Sequence, residues 1–120
     1  MRIDVKGRNT EVTEELRGRI GKRFAKVERQ VSPLARLEVE LREERNPAIR
    51  ESQIAEVTLL LKGVTLRARA ASDSMAHSVN EVSDELARQV KRHRDKRRRR
   101  RAAEVEPRPA APGGARPAAS

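Results

Sequence analysis

Residues 36–70 alternate apolar and polar side chains so regularly that any sheet they form has one face to bury and one to leave wet. Leu37, Val39 and Leu41 alternate with Arg36, Glu38, Glu40 and Arg42. Ala55, Val57, Leu59 and Leu61 alternate with Glu56, Thr58, Leu60 and Lys62; Leu66, Ala68 and Ala70 alternate with Arg67 and Arg69. Successive side chains of a strand point to opposite faces, so each segment reads as a half-buried strand. Lys62-Gly63 marks a hairpin turn between the last two. Residues 2–6 repeat the pattern with Ile3 and Val5 on one side, and Gly7 is expected to close that strand. The wet face would carry Glu38, Glu40, Glu56, Arg67 and Arg69, a mixture of signs that suits cross-strand pairs better than a binding site.

Two amphipathic segments can cover the apolar face. Thr13 is a good N-cap, with Glu14 and Glu15 in the first turn, where the helix dipole favours negative charge. Leu16, Ile20, Phe24, Val27 and Val31 then fall on one stripe, while Arg19, Lys22, Lys26 and Arg29 collect opposite. Gly18 and Gly21 cost about 1 kcal/mol each relative to alanine, so packing is expected to offset them. Ser32-Pro33 should end this helix. Residues 43–51, with Asn46-Pro47, read as a loop. The last helix is expected to be capped by Ser72 or Asp73 and to bury Met75, Val79, Val82, Leu86 and Val90, with His93 one turn beyond and an ion pair between Asp84 and Arg88. The expected fold is α+β, in the order β-α-β-β-β-α: a four-stranded sheet with two helices packed on one face and a right-handed parallel first crossover.

Charge narrows the function. The 120 residues suffice for one domain with a modest core. Lys and Arg number 28 against 18 Asp and Glu, but residues 1–90 are net +2, whereas residues 91–101 are net +8. Excess of that kind at the end of a helix points to a polyanion, nucleic acid first and an acidic membrane surface second. Phe24 is the sole aromatic and belongs to the core pattern, so base stacking has no platform and phosphates of structured RNA are the expected target. There is no cysteine, and His77 and His93 have no metal-ligand or nucleophile spacing around them. No glycine loop can cradle a phosphate. An enzyme, a metal, a cofactor and a small-molecule substrate are therefore not expected. With no signal-like or membrane-spanning run, a cytoplasmic protein is expected. The domain should occupy residues 1–96, and residues 97–120 should be a basic, then Pro/Ala/Gly-rich, disordered tail.

Three pieces of the chain resemble the ribosome hibernation promoting factors, also called ribosome-associated inhibitors or sigma-54 modulation proteins. They are Gly7-Arg8-Asn9 with Glu11-Val12-Thr13; Val64-Thr65-Leu66-Arg67-Ala68 with Ser72-Asp73-Ser74-Met75; and the run from Asp84 through Leu86, Arg88 and Val90 to His93. The resemblance spans about residues 1–96 and implies a double-stranded-RNA-binding-domain-like fold. It implies a site on the small ribosomal subunit and its 16S-type rRNA that overlaps the tRNA and mRNA positions and blocks translation. It also implies a protein that is monomeric off the ribosome. Carried over by position, the rRNA-facing residues are Arg23, Lys26 and Arg29 on the first helix and Arg88 and Arg92 on the second. Lys22, Lys91 and Arg94 join them from the charge pattern alone. Glu85 stands where members often carry lysine, exchanging a phosphate contact for repulsion, and Ala87 replaces a common glutamate. The chain fits a short form or the N-terminal domain of a long form. The alternatives are a generic basic RNA- or DNA-binding protein and a regulator that acts through protein contacts.

Overall fold

The computed structural model describes residues 1–105, and in it the alternating segments lie side by side in chain order. They are β1 (Arg2–Arg8), β2 (Arg36–Glu43), β3 (Gln53–Leu61) and β4 (Val64–Ser72), in one four-stranded sheet of order β1-β2-β3-β4. β1 runs parallel to β2, as the expected crossover requires; the other two pairings are antiparallel. The register carries Val5, Val39, Val57 and Ala68 across all four strands as one apolar row, and sets Lys6, Glu40, Glu56 and Arg69 beside it on the other face.

That second face is charged and internally paired, as the mixture of signs suggested. Arg42 meets Glu56 at 2.6 Å, Arg8 meets Glu40 at 3.2 Å, Arg36 meets Asp4 at 3.6 Å and Arg69 meets Glu56 at 3.8 Å. β1 is longer than expected, because Gly7 continues the strand instead of closing it. A side chain at Gly7 would lie 2.5 Å from the Thr10 carbonyl oxygen and 2.9 Å from Val12, so glycine admits the returning loop. Asn9 makes that return with φ of 57°, a left-handed conformation that Asn tolerates well. Gly63 has φ of +79° and forms the β3–β4 turn.

The opposite face is covered by α1 (Glu14–Arg23), α2 (Ala25–Glu28) and α3 (Met75–Val105). Thr13 caps α1 as expected, its hydroxyl accepting from the Leu16 amide at 3.1 Å. The single helix expected up to Ser32 is bent at Phe24 (φ −95°, ψ 2°) and ends at Glu28. The bonds from Phe24 N–H to the Ile20 carbonyl and from Glu28 N–H to the Phe24 carbonyl survive the bend, so the apolar stripe stays continuous. Gln30 N–H then folds back to the Val27 carbonyl, a three-residue closure that tightens and stops the helix before proline is reached. Gly18 and Gly21 sit on the exposed side with no neighbour within 4 Å of an added Cβ, and the packing that holds this segment comes from Ile20, Phe24 and Val27 in the core.

The cap of α3 is neither Ser72 nor Asp73. Ser74 Oγ accepts from the His77 amide at 3.3 Å, while Ser72 is buried and its hydroxyl lies 2.7 Å from that of Ser78. Ser78 in turn donates to the Gln53 carbonyl at 2.6 Å, tying the helix start to β3. From there Val79, Val82, Leu86 and Val90 meet Ile20, Phe24 and Val27 above Leu37, Leu41 and Leu59, all fully buried or nearly so. Both helical layers thus share one core on one side of the sheet. α3 runs unbroken past residue 96 to Val105, so the expected domain boundary falls inside a helix; residues 106–120 of the expected tail lie outside the described residues.

Candidate nucleic-acid interface

The first question for a basic helix face is which cations are already spoken for. Arg23 is. Its guanidinium crosses from α1 to α3, donating to Asp84 Oδ1 at 2.9 Å, to Ser83 Oγ at 3.2 Å and to the Asn80 carbonyl at 3.3 Å. Only 36% of its side chain is exposed, so it acts as a strut between the helices. This takes Asp84 away from the pairing expected with Arg88: Arg23 approaches from a neighbouring element with three acceptors in reach, which the within-helix pair cannot match.

Arg88 turns to Glu85 instead, through hydrogen bonds of 2.8 and 3.2 Å. Glu85 also accepts from Gln89 at 3.2 Å and lies 3.9 Å from Arg92. The hydrogen bond from Arg88, then that from Gln89, holds the Glu85 carboxyl below the ordinary glutamate range; the charges of Arg88 and Arg92 act in the same direction, and partial burial opposes them. One carboxylate therefore engages two of the arginines expected to face RNA. Spacings of three and seven residues from Glu85 were the available sign of this, and the charge stripe alone hid it. Gln89 completes the arrangement by donating to the Arg67 carbonyl at 2.7 Å on the outer edge of β4.

Lys22, Lys26 and Arg29 on the first helical layer and Lys91 on α3 are exposed, and none makes an ion pair among the described residues. Of the eight expected residues, these four are the ones open to a phosphate. Arg94 departs from the expected stripe: it is half-buried and lines a cleft with Gln30 and Leu34, and its Nε is buried without a partner. The exposed basic run at residues 96–101 continues the α3 helix. The eight expected residues thus fall into four open cations, three engaged ones and one turned into a cleft.

No group of three or more His, Cys, Asp or Glu side chains among the described residues could hold a metal ion. His77 is exposed beside Glu81 at 3.4 Å, and His93 is partly buried near the end of the core. No described helix is long and apolar enough to cross a membrane.

What this arrangement can do is bind an anionic surface by position and charge. The helices are fixed by a common core and by the Arg23 strut, and their exposed lysines and arginines are held at set places on one side of the sheet. Fixed cations without aromatic platforms suit phosphate contacts, which position a partner without reading bases.

Comparison with known proteins places this geometry. The model of the family described as sigma 54 modulation protein / S30EA ribosomal protein matches residues 3–98. The ribosome hibernation promoting factor of Salmonella typhimurium is 32% identical over 96 residues, covering 80% of this chain and 96% of that protein. The factor of the same name from Escherichia coli K12 is 30% identical over the same shares. The ribosome hibernation promotion factor of Picosynechococcus is 29% identical, and there the match covers only 50% of the relative. Among solved structures, the N-terminal domain of Thermus thermophilus Protein Y superposes with a TM-score of 0.67 at 26% identity, covering 78% of this chain and 99% of that one. A ribosomal subunit interface protein from Coxiella burnetii shares the fold, with a TM-score of 0.65 at 19% identity over 79% of this chain and 99% of that one. The chain belongs to the sigma-54 modulation and S30EA ribosomal protein family, the family of the ribosome hibernation promoting factors.

Proposed function

We propose that this protein is a ribosome hibernation factor that docks its two basic helical layers on the rRNA of the small subunit, occupies tRNA and mRNA positions, and stops translation without catalysis. The observation that carries the reading is a set of exposed helix cations without ion-pair partners, Lys22, Lys26 and Arg29 on one layer and Lys91 on the other, held on the side of the sheet opposite the face where most charges are paired. Phosphates of a folded RNA cleft would neutralise them, and shape would select the site. Arg88 and Arg92 would join after exchanging Glu85 for phosphate. The run at residues 96–101 would add long-range attraction without selectivity. Such a protein works in the cytoplasm and is monomeric away from the ribosome.

The test is co-sedimentation with purified small subunits in the presence of excess bulk duplex RNA. Retention on the subunit is expected. Equal loss to any RNA of matching charge would favour a generic basic nucleic-acid-binding protein instead. Binding that is indifferent to salt would favour a protein-contact regulator, because phosphate contacts weaken steeply as salt rises.

A further inference from the structure

Beyond the β3–β4 turn, where α3 leaves the sheet, lies a cleft of about 560 Å³ that the helix faces do not use. Val31, Ala35, Leu61 and Val90 make it apolar, and Leu34 stands at its lip with 90% of its surface exposed. Leu34 is the most exposed large hydrophobic side chain among the described residues. Arg36, Lys62, Arg94 and Arg97 also line the cleft, and no Asp or Glu does. Arg36 is already shared with Asp4 and Glu38 on the sheet, which leaves the other three cations for a partner.

These features ask for one occupant with two properties. It must be anionic to match the cations, and it must bring an apolar group to Leu34. An RNA backbone supplies charge but no aliphatic anchor for Leu34, and the one ring that lines the cleft, His93, is partly buried. A peptide supplies both, since its side chains can divide between apolar and acidic. We infer that this cleft is a docking site for a short acidic peptide segment of a partner protein, anchored by one apolar side chain against Leu34. The cleft shares Arg97 with the basic run at residues 96–101 but contains none of Lys22, Lys26, Arg29 and Lys91, so peptide binding and subunit binding are lost through different substitutions.

Nuclear magnetic resonance on the full ¹⁵N-labelled chain tests it, with a synthetic seven-residue peptide of glutamates around a central leucine. Amide shifts confined to Gln30, Leu34, Ala35, Leu61 and Arg94 with their neighbours are expected. Exchanging the central leucine of the peptide for serine should weaken binding about tenfold, as should Leu34→Ser in the protein. Leu34 is too exposed for that substitution to disturb the core, and an unchanged melting temperature checks this. Arg97→Glu should weaken binding further. Equal binding of the leucine and serine peptides, or no effect of Leu34→Ser, would overturn the inference by reducing the cleft to bare charge. So would a duplex RNA that moved the same cleft amides at lower concentration than the peptide, because the cleft would then belong to a nucleic-acid surface. Failure of the peptide to bind would overturn it outright.

Discussion

Replacing Glu85 with glutamine is expected to tighten binding to the small subunit about fivefold. In the free protein the carboxylate takes two hydrogen bonds from Arg88 and one from Gln89 and lies 3.9 Å from Arg92. Glutamine keeps the shape and removes the charge. A phosphate seated on Arg88 or Arg92 would lie about 7 Å from Glu85, where unit repulsion in water is about 0.6 kcal/mol. Arg88 and Arg92 are mostly exposed, with 62% and 68% of their side chains accessible. Releasing such a solvent-exposed pair contributes roughly 0.2–1 kcal/mol. Together these make about 1 kcal/mol, or about fivefold in affinity. One more uncompensated cation at the contact should also steepen the dependence of log affinity on log salt by about 0.9. Fluorescence anisotropy of labelled protein with purified subunits at several salt concentrations measures both. Unchanged affinity with an unchanged slope would show that Arg88 and Arg92 do not meet phosphate, and weaker binding would show that Glu85 positions the arginines instead of competing for them. The pH dependence follows from the lowered carboxyl pKa. The contribution of Glu85 to stability is present above the unfolded glutamate pKa of about 4.3 and is lost as pH falls through the lower folded value. Melting temperatures of wild type and Glu85→Gln should therefore converge in acid, while the binding gain is constant around neutrality.

Arg23→Met should lower folding stability by about 1 kcal/mol, because it removes three hydrogen bonds at a half-exposed site. A double-mutant cycle with Asp84→Asn in chemical denaturation should return a coupling of several tenths of a kcal/mol, and additive effects would contradict the strut. Gly18→Ala and Gly21→Ala meet open space and should each stabilise the protein by up to about 1 kcal/mol, seen as a higher melting temperature. Gly7→Ala should do the reverse, since its Cβ would press on the Thr10 carbonyl; a neutral result would show that the loop yields.

The sheet was legible because alternation and burial are one signal: Leu37, Val39 and Leu41 read as inward-facing, and all three are buried. The bend at Phe24 was not legible, because Ile20, Phe24 and Val27 keep the same stripe on either side of it and the pattern reports faces, not backbone continuity. Ser72 and Asp73 were the expected caps of α3, and burial of Ser72 against Ser78 leaves that role to Ser74, which the helical pattern did not single out. At the candidate site, exposure of Lys22, Lys26, Arg29 and Lys91 followed from helical period alone. The engagement of Arg23 did not, because it depends on how two helices rotate against each other, which neither helix encodes by itself. Arg94 turned inward for the same kind of reason: the chain after α2 folds back beside α3 and makes a cleft there.

The claim that both helical layers meet rRNA is tested most directly by reversing one charge on each. Lys26→Glu and Arg92→Glu in the same chain should abolish co-sedimentation with the small subunit and relieve inhibition of translation in a purified system. The melting temperature should stay near that of wild type, because both side chains are exposed and lie off the apolar stripes. Undiminished subunit binding and inhibition by a folded double variant would contradict the account.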